Sequence, residues 1–121
     1  MAEIQSHRDL IVWQKAMDLT VEVYRLAERL PSRETFGIYS QATRAAASVL
    51  ADIAEGHGRQ GSREFANFLS IARGSLSELD TFLELGRRLG YFTTEDLTVT
   101  TGLSQEVGKM TTTLRRNLAS R

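Results

Sequence analysis

Two proline-free runs, IYSQATRAAASVLADIAE (residues 38–55) and SREFANFLSIARGSLSELDTFLELGRRL (residues 62–89), are separated only by GHGRQG (residues 56–61). In each run apolar or small side chains return every three or four positions, the repeat that gathers them on one face of a helix. The spacing predicts a helical hairpin. Its first arm runs over Glu34–Glu55 with Ser32 as a plausible N-cap, and carries Ile38, Ala42, Ala45, Val49 and Ile53 on one face. Ala46, Ala47, Ala51 and Ala54 flank that face and are small enough for a partner helix to come close. The second arm, Ser62–Leu89, has Ser62 at the N-cap and Glu64 in the first turn, where the helix dipole favours an acid. Glycines 56 and 58 are expected to supply the left-handed backbone that ends the first arm and turns the chain.

Working outward, Pro31 closes an earlier helical pattern over Asp9–Leu30, because proline disfavours helical geometry in the residue before it. This helix shows two apolar stripes, one through Leu10, Trp13, Met17, Tyr24 and Ala27, the other through Val12, Leu19, Val23, Leu26 and Leu30. Together they are wider than one contact needs. Beyond Gly90, Thr93–Asp96 offers cap residues for a fourth helix, Glu95–Leu118, with Leu97, Leu103, Val107, Met110, Leu114 and Leu118 in its apolar row. Gly102, Gly108 and Thr111–Thr113 weaken its propensity, so it depends on packing. Short connections favour antiparallel neighbours. The expectation is an all-α, up-down-up-down four-helix bundle, a single domain over residues 1–121 with a flexible segment at 1–8. Its core is expected to include Trp13, Met17, Val49, Ile53, Phe65, Leu69, Leu76, Leu79, Leu83, Val107 and Leu114.

Fifteen basic residues balance fifteen acidic ones, so no global charge draws the chain to nucleic acid or to an anionic membrane. The basic set is lopsided: thirteen arginines against Lys15 and Lys109. Arginine suits bidentate contact with carboxylates or phosphates, although a GC-rich genome would write the same excess. The absence of cysteine removes disulfides, thiolate metal sites and cysteine nucleophiles. No apolar run approaches the roughly 18 residues of a membrane span, and the first residues lack a secretory pattern. A cytoplasmic protein without membrane contact is expected.

Little in the chain resembles a reaction centre. His7 and His57, the only histidines, lie outside the His-x-x-x-His and Glu-x-x-His spacings of bundle metal sites. Gly56-His57-Gly58 follows a helix rather than a strand and lacks the Lys-Ser/Thr ending of a phosphate loop. Arg44, Ser48, Asp52, Glu55 and Arg59 form a rough helical row, read as a structural polar network of Arg44, Asp52 and Glu55 that reaches helix three through Arg63, Asn67 or Ser70. No catalytic residue, metal, cofactor or small-molecule substrate is expected.

Four ordered blocks carry a likeness to a known family. They are Leu10–Ala16, Tyr39–Ala46 leading into Ile53–Arg59, Phe68–Leu79, and Leu89–Tyr91. Over nearly its whole length the chain resembles the 23S rRNA intervening-sequence protein family of bacterial four-helix-bundle proteins. The resemblance implies a closed homo-oligomer, most simply a pentamer, and no enzymatic activity. A related branch is similar to the accessory protein of diversity-generating retroelements, which implies a basic nucleic-acid-binding surface and a reverse transcriptase as partner. One departure stands out: the family commonly has Asn where this chain has Asp52.

Two readings of function follow. In the first, a homo-oligomer binds RNA, DNA or a nucleoprotein through Arg59, Arg63, Arg87, Arg88, Arg115, Arg116 and Arg121. Cations at the end of helix four would also complement its dipole, by a few tenths of a kcal/mol each. In the second, the chain is a protein-interaction or scaffold module without nucleic acid, using the wide apolar face of helix one.

Overall fold

The computed structural model describes residues 3–120. Four helices form the body: α1 (Ile11–Ala27), α2 (Ser40–Gly58), α3 (Ser62–Arg88) and α4 (Thr98–Ala119), with no strand among the described residues. Each helix packs on its neighbours in the chain and α4 closes on α1, as an up-down-up-down bundle requires. None of these helices is long and apolar enough to cross a membrane.

The ends of the helices depart from the periodic pattern for local reasons. Ser6 and Asp9 form a reciprocal capping box around a 3-10 turn at His7–Asp9, so order begins within the segment expected to be flexible. Helix α1 stops at Ala27, three residues early, and tightens through Arg29 N–H to Leu26 O (3.1 Å) and Leu30 N–H to Ala27 O (3.0 Å) before Pro31. Ser32 does not cap α2. It opens a 3-10 turn, Ser32–Glu34, followed by a π-helical turn, Thr35–Tyr39, kinked at Gly37, where the Glu34 carboxylate accepts from Ile38 N–H (3.2 Å). Ser62 is likewise the first helical residue of α3, with Gly61 at the N-cap. Thr93 and Asp96 do not cap α4 but brace the turn before it: Asp96 accepts from Thr93 N–H (2.8 Å) and Thr93 Oγ1 accepts from Asp96 N–H (3.1 Å). The helix begins at Thr98 rather than Glu95, with Leu97 at an N-cap that makes no side-chain bond.

The larger correction concerns the glycines between α2 and α3. Neither ends the helix in left-handed geometry; α2 runs through to Gly58, and the only positive φ among the described residues is at Gly90 (85°). There Tyr91 N–H reaches Gly86 O (2.9 Å) and Gly90 N–H reaches Arg87 O (3.0 Å), the paired bonds of a Schellman stop for α3. Gly56 instead permits close approach. It is buried, and a Cβ there would stand 2.7 Å from Phe68 Cβ and 3.0 Å from Phe65 Cδ1.

The core runs the length of the bundle. Helix α1 contributes Val12, Leu19, Val23 and Leu26 of its second stripe, together with Ala16 and, from the first stripe, Ala27. Trp13 and Met17 on the first stripe are only partly buried, as are Phe65 and Leu114, against expectation. Trp13 lies on the flank, edge-on to the His7 ring at 5.1 Å and under the Arg8 guanidinium at 5.7 Å. Val49, Ile53, Leu69, Leu76, Leu79, Leu83 and Val107 are buried as expected. Helix α4 adds Thr100, Ser104 and Thr111 to the interior, and the Thr111 hydroxyl is satisfied by Gly108 O (2.9 Å).

Gly56→Ala therefore inserts a methyl group against the rigid Cβ of Phe68, and is expected to lower stability by about 1–3 kcal/mol. Gly58, with open space around its would-be Cβ, is the control; Gly58→Ala should leave stability unchanged or raise it by up to ~1 kcal/mol. Denaturant unfolding of both variants reads the difference, and equal losses would refute the close-approach account.

Candidate nucleic-acid interface

Because α3 and α4 are antiparallel, the first turns of α3 lie beside the last turns of α4. On α3, Arg63, Asn67, Ser70 and Arg73 follow one another at three- and four-residue steps; on α4, Gln105, Lys109, Thr112 and Arg116 do the same. Two adjoining surface cavities run between these rows. One is bordered by Arg63, Asn67, Ser70, Arg115 and Arg116, the other by Arg73, Gln105, Lys109 and Arg116, with Thr112 and Arg116 common to both. The result is one groove with five cations and no bordering carboxylate among the described residues.

Within the groove Arg115 is anchored: its Nη1 donates to Ser70 Oγ at 2.9 Å, and that hydroxyl donates to Ala66 O at 3.3 Å. Arg63, Arg73, Lys109 and Arg116 are exposed, and none has a carboxylate within 4.0 Å among the described residues. Arg63 also stands in the first turn of α3, where the helix dipole disfavours a cation, so its charge does not serve the helix.

The structure divides the sequence candidates into three groups. Arg63, Arg115 and Arg116 share the groove. Arg59 turns back to Glu55 (2.7 Å), comes within 3.8 Å of Glu64, and lies 5.3 Å above the Phe68 ring. Arg87 and Arg88 sit at the opposite end of α3, both held by Glu84 at 2.8 Å; these guanidiniums, Arg87 first, pull the Glu84 carboxyl down to about 2. Arg121 lies outside the described residues. Sequence reasoning missed Arg73 as a binding residue and left Lys109 as a helix-end charge; the helical steps from Arg63 to Arg73 and from Gln105 to Arg116 were the available signal.

The polar network on α2 is not assembled as expected. Arg44 is exposed and has no acidic partner among the described residues, standing about 12 Å along the axis from Asp52. Glu55 pairs with Arg59 instead, in an exposed i,i+4 contact of the kind that adds little stability, so Glu55→Gln is expected to be nearly silent in thermal melts. Asp52 is left alone: its Oδ2 is buried without a hydrogen-bond partner. Burial, and then the nearby Glu55 charge, raise its carboxyl above the usual Asp range. His57 lies edge-on to Phe65 at 5.8 Å, and no group of three metal-ligating side chains occurs among the described residues.

Fold and surface define a four-helix bundle with a segregated basic groove. The chain belongs to the 23S rRNA-intervening sequence protein family, whose model matches residues 8–113. It is similar to a crystal structure of a protein of unknown function from the S23 ribosomal protein family of Bacteroides thetaiotaomicron, with 27% identity and a TM-score of 0.80 over 87% of this chain and 98% of that one. No curated protein matches it.

The folded protein holds the Asp52 proton more tightly than the unfolded chain does. The carboxyl thus favours folding when protonated and opposes it once pH rises through its raised value. Asp52→Asn should be more stable than the parent at pH 7, by ~2–6 °C in Tm. Thermal melts from neutral to acid pH should show the gap closing as Asp52 takes up its proton. A gap that widens on acidification would mean that the charged form is the favoured one.

Proposed function

We propose that this chain is a non-enzymatic, cytoplasmic, homo-oligomeric protein that binds nucleic acid through the groove between α3 and α4. The observation that carries the reading is the clustering of Arg63, Arg73, Lys109, Arg115 and Arg116 around a groove that no carboxylate borders among the described residues. In a chain of zero net charge, cations left unpaired at one place are available to an anionic partner. Membership of a family named for an intervening sequence of 23S rRNA supports the same class of partner.

Self-association is supported by apolar surface on another part of the molecule. Phe36, on the π-helical turn before α2, is 93% exposed, and Ile11, Val21 and Tyr24 on α1 and Val99 on α4 are also uncovered. A cyclic assembly, for which five subunits is the expectation, would repeat the groove once per subunit and multiply its field. The same apolar surface suits the scaffold reading, in which the assembly recruits a protein such as a reverse transcriptase.

Binding to a nucleic-acid duplex should weaken steeply with salt. Replacing Arg115 and Arg116 with Ala should reduce the log–log slope by about 1.8, since each neutralised phosphate contributes roughly 0.9. Arg87→Ala/Arg88→Ala, at the opposite end, should leave the slope unchanged. Absence of salt-sensitive binding by the parent protein would favour the scaffold reading.

Light scattering at micromolar concentration is expected to give a defined multiple of the subunit mass. Phe36→Glu should lower that mass while leaving the helical content of the subunit intact. A monomeric parent protein would remove the assembly.

A further inference from the structure

Resting on the nucleic-acid reading above, we infer that the α3/α4 groove takes the phosphodiester backbone of a double helix, without regard to sequence, and does not grip single strands by their bases. Proteins that bind single strands set aromatic side chains along the basic track, each stacked base being worth about 1–3 kcal/mol. No aromatic side chain borders this groove. The aromatics nearest the basic end of α3 are already occupied: Phe65 meets His57, and Phe68 lies beneath Arg59. Tyr24 and Phe36 are exposed, but on α1 and on the turn before α2, away from the groove.

The polar side chains between the cations are Asn67, Ser70, Gln105, Thr112 and Thr113, with Ala66 and Ala119 also in the lining. Short amides and hydroxyls of this kind, beside arginine and lysine, are the groups that contact phosphate and sugar oxygens. The dimensions also suit a rigid backbone. From Arg63 to Arg73 the stripe runs about 15 Å along α3, long enough to meet more than one phosphate of the same strand. The two helices are packed together along the groove, and the Arg115–Ser70 hydrogen bond ties one to the other, so the helix positions that carry the cations are fixed relative to one another. A stiff duplex backbone gains from that preorganisation; a flexible single strand must first be ordered along it.

Counterion release sets the size of the preference. Each phosphate contact contributes about 0.9 to the salt slope on duplex and about 0.7 on a single strand, so five contacts differ by about one unit and, for equal affinities at 1 M salt, give roughly tenfold preference at 0.1 M salt.

The test is fluorescence anisotropy with 20-base-pair RNA and DNA duplexes and the 20-nucleotide single strands that compose them, each in two unrelated sequences. At least one duplex type should bind about tenfold more tightly than its single strands at 0.1 M salt, and the two sequences should agree. The RNA and DNA arms then show which backbone the groove prefers. Exposed Arg73→Glu and Lys109→Glu, which leave the core untouched, should abolish duplex binding while circular dichroism stays unchanged. Single strands bound as tightly as duplexes, or a strong dependence on sequence, would overturn the duplex inference and leave nucleic-acid binding standing. No binding to any of the probes would overturn both.

Discussion

The close approach of α2 to α3 is the constraint on which the rest of the molecule depends. At its base, Gly56 leaves room for the Cβ of Phe68 and the edge of Phe65, where any larger residue would force the two helices apart. Above that point Ala42, Ala45, Ala46 and Val49 keep the α2 surface low, so the leucines of α3 reach into the common core. Seating α3 in this way settles which of its faces remains outside. The outer face then receives α4 along its length, and the groove of cations lies along that second contact. A glycine that touches no ligand therefore governs where the basic surface falls.

Charge is distributed with the same economy. Arg25 pairs with Glu22, Arg29 with Asp96, Arg59 with Glu55, Arg87 and Arg88 with Glu84, and Lys15 with Glu106. Exposed pairs of this kind contribute little to stability, but they cancel much of the field over the rest of the surface. The groove cations Arg63, Arg73, Lys109, Arg115 and Arg116 are left without that cancellation, as is Arg44 on α2. A zero net charge thus coexists with a strong local potential, because the balance is struck over the whole chain and the field is felt only within about 10 Å at 0.1 M salt. The ends of the bundle are held by more specific contacts. Tyr91 donates to Glu34 (3.0 Å) and accepts from Arg33 (3.3 Å), which joins the turn before α2 to the turn before α4.

The candidate site was partly legible in the residues. Arg63, Arg115 and Arg116 could be named because they are arginines on predicted helices, yet Arg59, Arg87 and Arg88 carry the same label and are neutralised by neighbours three to five residues away. Glu84 lies three and four positions from its partners, and Glu55 four from Arg59, so those pairings were within reach of helical spacing alone. The joining of Arg63 and Arg73 to Lys109 and Arg116 was not, since it spans more than thirty residues and depends on the register of α4 against α3. Asp52 shows the opposite limit. Its row with Arg44 and Glu55 was visible, but the burial of one carboxylate oxygen without a partner is a property of the packed state.

By itself the sequence determined the class of the fold, the number of long helices and most of the core of α2 and α3. All of these depend on interactions within a few residues, or on a repeat that a single helix displays. The tertiary structure alone decided which stripe of α1 is buried, since Val12–Leu26 and Leu10–Ala27 are equally apolar in isolation and only the position of α2 and α4 separates them. It also decided that Gly56 serves a close approach rather than a turn, because the steric demand comes from Phe68 on another helix. The basic groove has the same origin: helix spacing sets each row of charges, and only the antiparallel packing of α3 against α4 brings the two rows together.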